Sequence, residues 1–179
     1  YFPEGSIHVI VVDPGVGGSR PVKLLKLAGH YFLFPDNGVM TRLVRLQEPE
    51  ELWTISNSDY FLPEISNTFH GRDIFAPVAA HLSNGVHPGR LGEASDELKT
   101  LSLPRPQVKA NEITGHIIHI DRFGNLITDI EQRMVDKLSV SYDSPAIHLS
   151  RETLSGIRKS YNEVREGKVL AIFGSKGLL

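Results

Sequence analysis

Two prolines separated by a single residue, Pro104 and Pro106, constrain the fold of this chain most strongly. Proline lacks a backbone N–H and has a fixed φ, so neither a helix interior nor a central strand continues through such a pair. The pattern of apolar residues changes here, since mixed α/β patterns precede the prolines and strand patterns follow them. We therefore predict an α/β domain over residues 1–104 and a smaller all-β domain over residues 105–179.

Apolar periodicity predicts the individual elements. Ile7 to Val12 is a β-branched apolar run, which is typical of a buried, parallel strand. Ala28 and Gly29 predict a tight turn between two further strands. The other elements predicted in the first domain are strands at 23–27, 30–34 and 51–56 and helices at 39–46 and 73–84. The second domain has predicted strands at 112–120, 126–130, 146–149 and 168–173.

Composition excludes several classes of protein. The 19 Lys and Arg residues are offset by 21 Asp and Glu residues, giving a net charge of −2, which is unlike the basic surface of a nucleic-acid-binding protein. No apolar run reaches the roughly 18 residues that cross a bilayer. The chain has no Cys, which excludes a disulfide scaffold, a thiol nucleophile and Cys-containing zinc sites. We expect a cytoplasmic protein without nucleic-acid or membrane partners, since a chain without Cys suits a reducing compartment.

The histidines do not form a metal-binding motif. His116 and His119 are three residues apart on a predicted strand, where they point to opposite faces. The sequence has neither a His-Glu-x-x-His helix nor an EF-hand loop. We therefore expect no metal site.

The first candidate functional segment is a glycine-rich loop that runs from Asp13 to Arg20. It follows a predicted buried strand, which is a common position for binding groups in α/β sheets. The loop can fold back so that the Arg20 guanidinium lies beside the Asp13 carboxylate. Taken alone, the segment favours a structural role, in which Asp13 caps backbone amides and Arg20 is solvated.

The second segment contains His70, which stands beside Gly71 and ahead of a predicted helix. An imidazole suits proton transfer near neutral pH, and the adjacent glycine leaves it room to face a pocket. The alternative is that Thr68 or Asp73 caps the helix and that His70 has no functional part.

Two turns in the second domain carry polar side chains. Asp121 and Asn125 flank a predicted hairpin turn, in which both are ordinary turn residues. In a functional turn, Asp121 would accept a hydrogen bond from an ammonium or hydroxyl group, and Asn125 would read the edge of a base. Ser175 and Lys176 lie between glycines, in either a simple hairpin turn or an anion-binding nest of backbone N–H groups.

Five segments occur in a fixed order, namely Val11–Gly17, Pro35–Val39, Thr68–Pro77, Ile120–Thr128 and Gly174–Gly177. Together they closely resemble the S-adenosyl-L-methionine (SAM) hydroxide adenosyltransferase family, also called adenosylmethionine hydrolases, whose relatives are the SAM-dependent fluorinase and chlorinase. The resemblance covers essentially the whole chain. It implies an N-terminal α/β domain, a C-terminal β-barrel domain, and the conversion of SAM and water to adenosine and L-methionine without a metal or further cofactor.

The resemblance also implies roles for individual residues. Asp13, Arg20 and His70 match a catalytic triad that handles the attacking water. The remaining family positions bind substrate and fall on Asp121 for the methionine part, on Asn125 and Tyr161 for adenine, and on Ser175 and Lys176 near the methionine carboxylate.

Family members are homotrimers that bind ligand between the N-terminal domain of one subunit and the C-terminal domain of its neighbour. The resemblance therefore implies that this chain binds SAM, adenosine and L-methionine as a homotrimer with active sites at the subunit interfaces. Members also have a strand and a helix ahead of the segments seen here, and a longer final strand. We accordingly expect the sequence to be truncated at both ends.

Three alternatives to a hydrolase remain open. Halogenases of the superfamily resemble a different pattern, with Tyr at the position of Asp13, Thr at that of Val16 and Ser at that of Gly71. A carboxylate at the nucleophile position would repel a halide and suits water. The second alternative is a module that binds adenosine or SAM without turnover, and the third is an inert structural fragment.

Overall fold

A computed structural model describes residues 1–138, 145–150 and 152–179. The chain divides into two compact units, Tyr1–Ser102 and Leu103–Leu179. The first unit contains a five-stranded sheet, and the strands described in the second unit form three two-stranded sheets.

The first unit is built on a mixed sheet. Its strands are β1 (Ile7–Val9), β2 (Val22–Leu27), β3 (His30–Pro35), β4 (Glu51–Ile55) and β5 (Gly92–Ala94). The spatial order is β1-β3-β2-β4-β5, in which β1 runs parallel to β3 and the other neighbours are antiparallel. The strands predicted between Lys23 and Ser56 are confirmed as β2, β3 and β4.

The sheet buries apolar side chains on both faces. In β2, Leu24 packs in a cluster with Phe75 and Val78, whereas its neighbour Leu25 packs in a second cluster with Met40. Successive side chains of a strand point to opposite faces, so one strand supplies both clusters. Burial of each such Leu or Phe side chain contributes roughly 1.5–3 kcal/mol.

Helices in the first unit are few and short. They are α1 (Thr41–Val44), α2 (Ala76–Ser83) and α3 (Pro88–Leu91), with a 3-10 turn at Ser58–Tyr60 and a π-helical turn at Gly71–Phe75. The helix predicted over 73–84 is confirmed as α2 from residue 76 onward. The helix predicted over 39–46 is reduced to the single turn of α1. The first unit is therefore a mixed sheet with few helices.

Strand β1 lies at the edge of the sheet, which corrects the prediction that it is buried. The strand ends at Val9, which is 42% exposed, and Val11 and Val12 of the predicted strand lie in the following loop, where they are 55% and 65% exposed. The parallel direction is confirmed by the pairing of β1 with β3. The prediction of burial was wrong because a buried parallel strand normally lies between two other strands. Among the described strands, β1 has a single neighbour, β3.

The second unit consists of short antiparallel pairs. Its strands are β6 (Gln107–Lys109), β7 (Glu112–Thr114), β8 (Ile117–Ile120), β9 (Leu126–Thr128), β10 (Ala146–Leu149) and β11 (Glu152–Ser155), which pair as β6–β7, β8–β9 and β10–β11. A short helix, α4 (Gln132–Asp136), and a 3-10 turn at Tyr161–Glu163 complete it.

The barrel implied for this domain is not closed among the described residues. A closed barrel requires every strand to be hydrogen-bonded to two neighbouring strands. Each strand described here pairs only with the other strand of its own hairpin. Isolated bridges join Glu131 to Leu178 and Arg158 to Ile172. The strand predicted at 168–173 is wrong, because only Ile172 of that segment forms a bridge.

Within the described ranges, no helix is long and apolar enough to cross a membrane.

The turn between β2 and β3 contains an alanine in the left-handed region, with φ values of 51° at Ala28 and 74° at Gly29. Asn tolerates this region better than Ala, so Ala28→Asn should raise the free energy of unfolding by about 1 kcal/mol. Ala80→Asn, in the exposed part of α2, should instead lower it by about 0.5 kcal/mol, since Asn is the poorer helix former. Urea denaturation measures both; equal changes in the two variants would contradict the account of the turn.

Candidate active site

The loop that follows β1 contains an internal ion pair. The Arg20 guanidinium donates from Nε to Oδ2 of Asp13 at 2.9 Å, and the same nitrogen lies 2.7 Å from Oδ1. The Asp13 side chain is 9% exposed and that of Arg20 is 22% exposed. The pairing expected from the sequence is therefore present, and Arg20 is not a solvated side chain.

Two polar atoms of this pair are buried without full hydrogen bonding among the described residues. Nη2 of Arg20 has no hydrogen-bond partner within the described ranges, and the near contact of Oδ1 of Asp13 is Nε of Arg20, 2.7 Å away in the ion pair. A buried polar atom without a partner is costly.

The sequence shapes this loop through its glycines and through Asn37. The Asn37 amide donates to the carbonyl oxygen of Val12 at 2.9 Å and so holds the backbone just ahead of Asp13. A Cβ at Gly15 would overlap Nη1 of Arg20. A Cβ at Gly17 would lie 2.5 Å from the carbonyl oxygen of Asn67, which belongs to the loop that carries His70.

His70 directly precedes the π-helical turn and is half-buried. The alternative that Asp73 caps a helix is wrong. Its carboxylate instead accepts hydrogen bonds from the Arg72 guanidinium and from the backbone N–H of Ser66 at 2.8 Å. These donors, Arg72 above all, lower the pKa of Asp73 from 3.8 to about 2 despite its burial. Sequence reasoning missed this anchor, because the Ser66 donor is a backbone N–H, which no residue type marks in the sequence.

The two loops meet in a pocket of about 240 Å³ that has both Asp13 and His70 in its wall. Val11, Val16, Phe69 and other apolar groups supply the rest of the lining. Arg20 does not line the pocket, and its contact with the site is the bond to Asp13. Asp13 and His70 therefore share one pocket, and Arg20 is bonded to the first of them.

In the second unit, Asp121 and Asn125 form the expected turn. Oδ1 of Asp121 accepts from the backbone N–H groups of Phe123 and Asn125 at 2.8 and 2.9 Å, and Oδ2 accepts from the Asn125 amide at 2.9 Å. These bonds, led by the Asn125 side chain, lower the pKa of Asp121. The carboxylate thus organises its own turn and fixes the orientation of Asn125, while lone pairs remain for a ligand donor.

Ser175 and Lys176 are exposed in a second turn, which is closed by a bond from the Gly177 N–H to the Gly174 carbonyl at 2.8 Å. The Gln132 N–H donates to Gly177, so this turn and the Asp121 turn lie at opposite ends of the segment 126–132.

Tyr161 opens a 3-10 turn with its side chain 62% exposed, which leaves a ring face free for stacking.

No group of three His, Asp or Glu side chains in the described ranges is arranged to hold a metal ion.

Family profiles match both parts of the chain. The profile of the SAM hydroxide adenosyltransferase N-terminal domain matches residues 1–92, and that of the C-terminal domain matches residues 115–179.

Individual relatives agree with these profiles. The chain is 33% identical to a (R)-S-adenosyl-L-methionine hydrolase of Thermus thermophilus, over 100% of this chain and 68% of the relative. It is 36% identical to the hydrolase of the same name from Methanocaldococcus jannaschii, over 79% of this chain and 48% of the relative. It is 28% identical to a fluorinase of an Actinoplanes species, over 80% of this chain and 57% of the relative. The chain thus spans about half to two thirds of the length of these relatives.

A solved structure of an uncharacterized conserved protein from Thermotoga maritima superposes with a TM-score of 0.89. It is 35% identical in sequence, over 99% of this chain and 69% of that one.

Gly17 and Gly85 provide a matched test of the contact between the two loops. Both have positive φ, 81° and 86°, so backbone strain should make Ala at either position lower the free energy of unfolding by about 1–2 kcal/mol, and Gly17→Ala should lower it further because its Cβ overlaps a backbone oxygen. Only at Gly17 would the new Cβ meet the Asn67 carbonyl; at Gly85 it meets nothing within 4 Å. Gly17→Ala should therefore also lower turnover of SAM by about 10-fold or more, because it separates Asp13 from His70. Thermal unfolding and adenosine formation measure the two effects; equal turnover in both variants would show that the contact has no catalytic importance.

Proposed function

Because this chain belongs to the SAM hydroxide adenosyltransferase family, we propose that it hydrolyses SAM to adenosine and L-methionine. The observation that carries the proposal is that Asp13 and His70 lie in the wall of one pocket, with Arg20 donating to the Asp13 carboxylate. A water molecule in that pocket can donate to the carboxylate of Asp13, which leaves an oxygen lone pair free to face a substrate bound there.

The chemistry suits these residues. The C5′–S bond of SAM breaks with its electron pair going to sulfur, and the neutral thioether of methionine leaves without needing a proton. The water oxygen forms the new bond to C5′, and its proton passes to the network of Asp13 and His70 and then to solvent. The task of the protein is to hold the water in line with the C5′–S bond at near contact distance.

Each triad member has a distinct part in this proposal. Asp13 orients the water and accepts its proton as the O–H bond breaks. Arg20 donates to Asp13 and keeps its carboxylate in one orientation. His70 completes the hydrogen-bond network on the pocket wall. No metal or additional cofactor takes part, since the sulfonium is already a good leaving group.

Five residues of the second unit serve as substrate contacts in the proposal. Four of these residues are exposed, and the Asp121 carboxylate keeps lone pairs that can accept from a ligand. These features support the roles, as does the family resemblance. Asp121 receives the methionine ammonium, Asn125 reads adenine, Tyr161 stacks on adenine, and Ser175 and Lys176 bind the methionine carboxylate.

The assembly and location are part of the same proposal. The family resemblance supports a homotrimer in which neighbouring subunits share each active site, and the composition without Cys supports a cytoplasmic location. A shared site predicts that co-expressed Asp13→Asn and Asn125→Ala chains regain activity that neither variant has alone. Sedimentation velocity measures the trimer; a fully active monomer would overturn this part.

Asp13→Asn provides the direct test of the triad. The amide keeps the size of the side chain but removes its negative charge, so adenosine formation should fall by about 100-fold or more, while adenosine binding is largely retained. Asp96→Asn makes the same chemical change at an exposed position and should leave turnover unchanged.

Chromatography of the products and isothermal titration with adenosine measure the two properties. An unimpaired Asp13→Asn variant would contradict the assigned role. SAM binding to the wild type without adenosine formation would favour a binding module, and a 5′-halogenated product that depends on chloride or fluoride would favour a halogenase.

A further inference from the structure

Asp73 is a fully buried carboxylate that lies behind the pocket wall. It is 0% exposed and is not among the pocket-lining residues. Oδ1 accepts from Nε of Arg72 at 2.5 Å, while Oδ2 accepts from Nη2 of Arg72 at 3.1 Å and from the N–H of Ser66 at 2.8 Å. These charge-assisted bonds hold the carboxylate in one orientation. The carboxylate itself is fully buried, although the Arg72 side chain is 64% exposed.

The backbone near Asp73 closes the same loop. The Asp73 N–H donates to the Phe69 carbonyl at 3.0 Å, and the Phe69 N–H donates to Oγ of Ser66 at 2.9 Å. The Asp73 carbonyl accepts from the N–H of Leu62 at 2.9 Å. Residues 67–72 are therefore tied at both ends and at Phe69.

The tied segment forms one wall of the pocket. Thr68, Phe69, His70, Gly71 and Arg72 all line it. His70 is three residues from Asp73 along this segment, and the bond from the Asp73 N–H to the Phe69 carbonyl closes the backbone around it. A change in the anchor at Asp73 therefore alters the backbone that carries His70.

We propose that Asp73 is a positioning residue, whose carboxylate fixes the 66–72 segment so that His70 is held where the reaction needs it. This inference rests on the proposed function. Asp73 does not touch the substrate and acts through His70. The Arg72 and Ser66 donors also keep its pKa near 2, so the anchor is charged at any pH at which a histidine network operates.

A double-mutant cycle tests the proposal. In the full-length enzyme, Asp73→Asn should lower kcat for SAM by about 10- to 100-fold, with KM changed by no more than roughly threefold. In a variant that already carries His70→Ala, Asp73→Asn should lower kcat little further, because its effect passes through His70. Asp73→Glu, which keeps the charge, should restore part of kcat.

Asp129→Asn is the matched control. Its carboxylate also accepts from a backbone N–H, that of His116 at 2.6 Å, and lies 3.1 Å from that residue's Nδ1, but it belongs to the other unit. It should leave kcat unchanged. The proposal would be overturned if Asp73→Asn lowered kcat by the same factor with and without His70, or if a folded Asp73→Asn variant had an unchanged kcat.

The Hε1 proton resonance of His70, identified by its disappearance in His70→Ala, gives a readout that does not require activity. Asp73→Asn should shift or broaden it and leave the resonance of His148 unchanged. If the wild type forms no adenosine, the proposed function fails, but the spectrum still tests whether Asp73 positions His70. A His70 resonance that does not move in Asp73→Asn would refute that positioning role. If Asp73→Asn does not fold, Ser66→Ala removes the hydroxyl that accepts from Phe69 and that hydrogen-bonds the Asp73 carboxylate, and it should move the His70 resonance in the same way.

Discussion

The ion pair between Asp13 and Arg20 is the interaction on which the candidate site depends. Both residues belong to one short loop, and the loop can bring them together because Gly15 leaves space for the guanidinium. Asn37 holds the backbone immediately before Asp13. The bond from Arg20 holds the Asp13 carboxylate in one orientation at the pocket wall, where we propose that it orients the attacking water.

The second loop brings an imidazole to the pocket whose wall contains Asp13. His70 reaches the same pocket from a different part of the chain, held by the buried Asp73. Gly17 and Asn67 place the two loops in direct contact. An enzyme that displaces a thioether with water needs little acid catalysis and much positional control, and close-packed loops anchored by buried charges provide such control. A carboxylate at this position would repel a halide ion, which agrees with the proposal that water is the nucleophile.

Local features of the sequence were sufficient for several of these results. The β2–β3 hairpin follows from two strand patterns around Ala28 and Gly29, and the Asp121 turn follows from its Asp and Asn. The pairing of Asp13 with Arg20 was accessible for the same reason, since both lie in one loop. Features that depend on distant contacts were not accessible. The burial of β1 depends on which strands lie beside it, and the closure of a barrel depends on pairing between hairpins. The bond from Ser66 to Asp73 spans only seven residues, as the Asp13–Arg20 pair does, but its donor is a backbone N–H, which no residue type marks in the sequence.

The central claim is that water bound at Asp13 attacks C5′ directly. A single-turnover reaction of excess enzyme with SAM in ¹⁸O-labelled water, followed by mass spectrometry of the products and of the peptide that contains Asp13, tests it most directly. The account predicts that the label appears at the 5′ oxygen of adenosine and that the peptide remains unlabelled. Unlabelled adenosine together with ¹⁸O in the Asp13 carboxylate would show that the carboxylate itself attacks C5′, and would contradict the account.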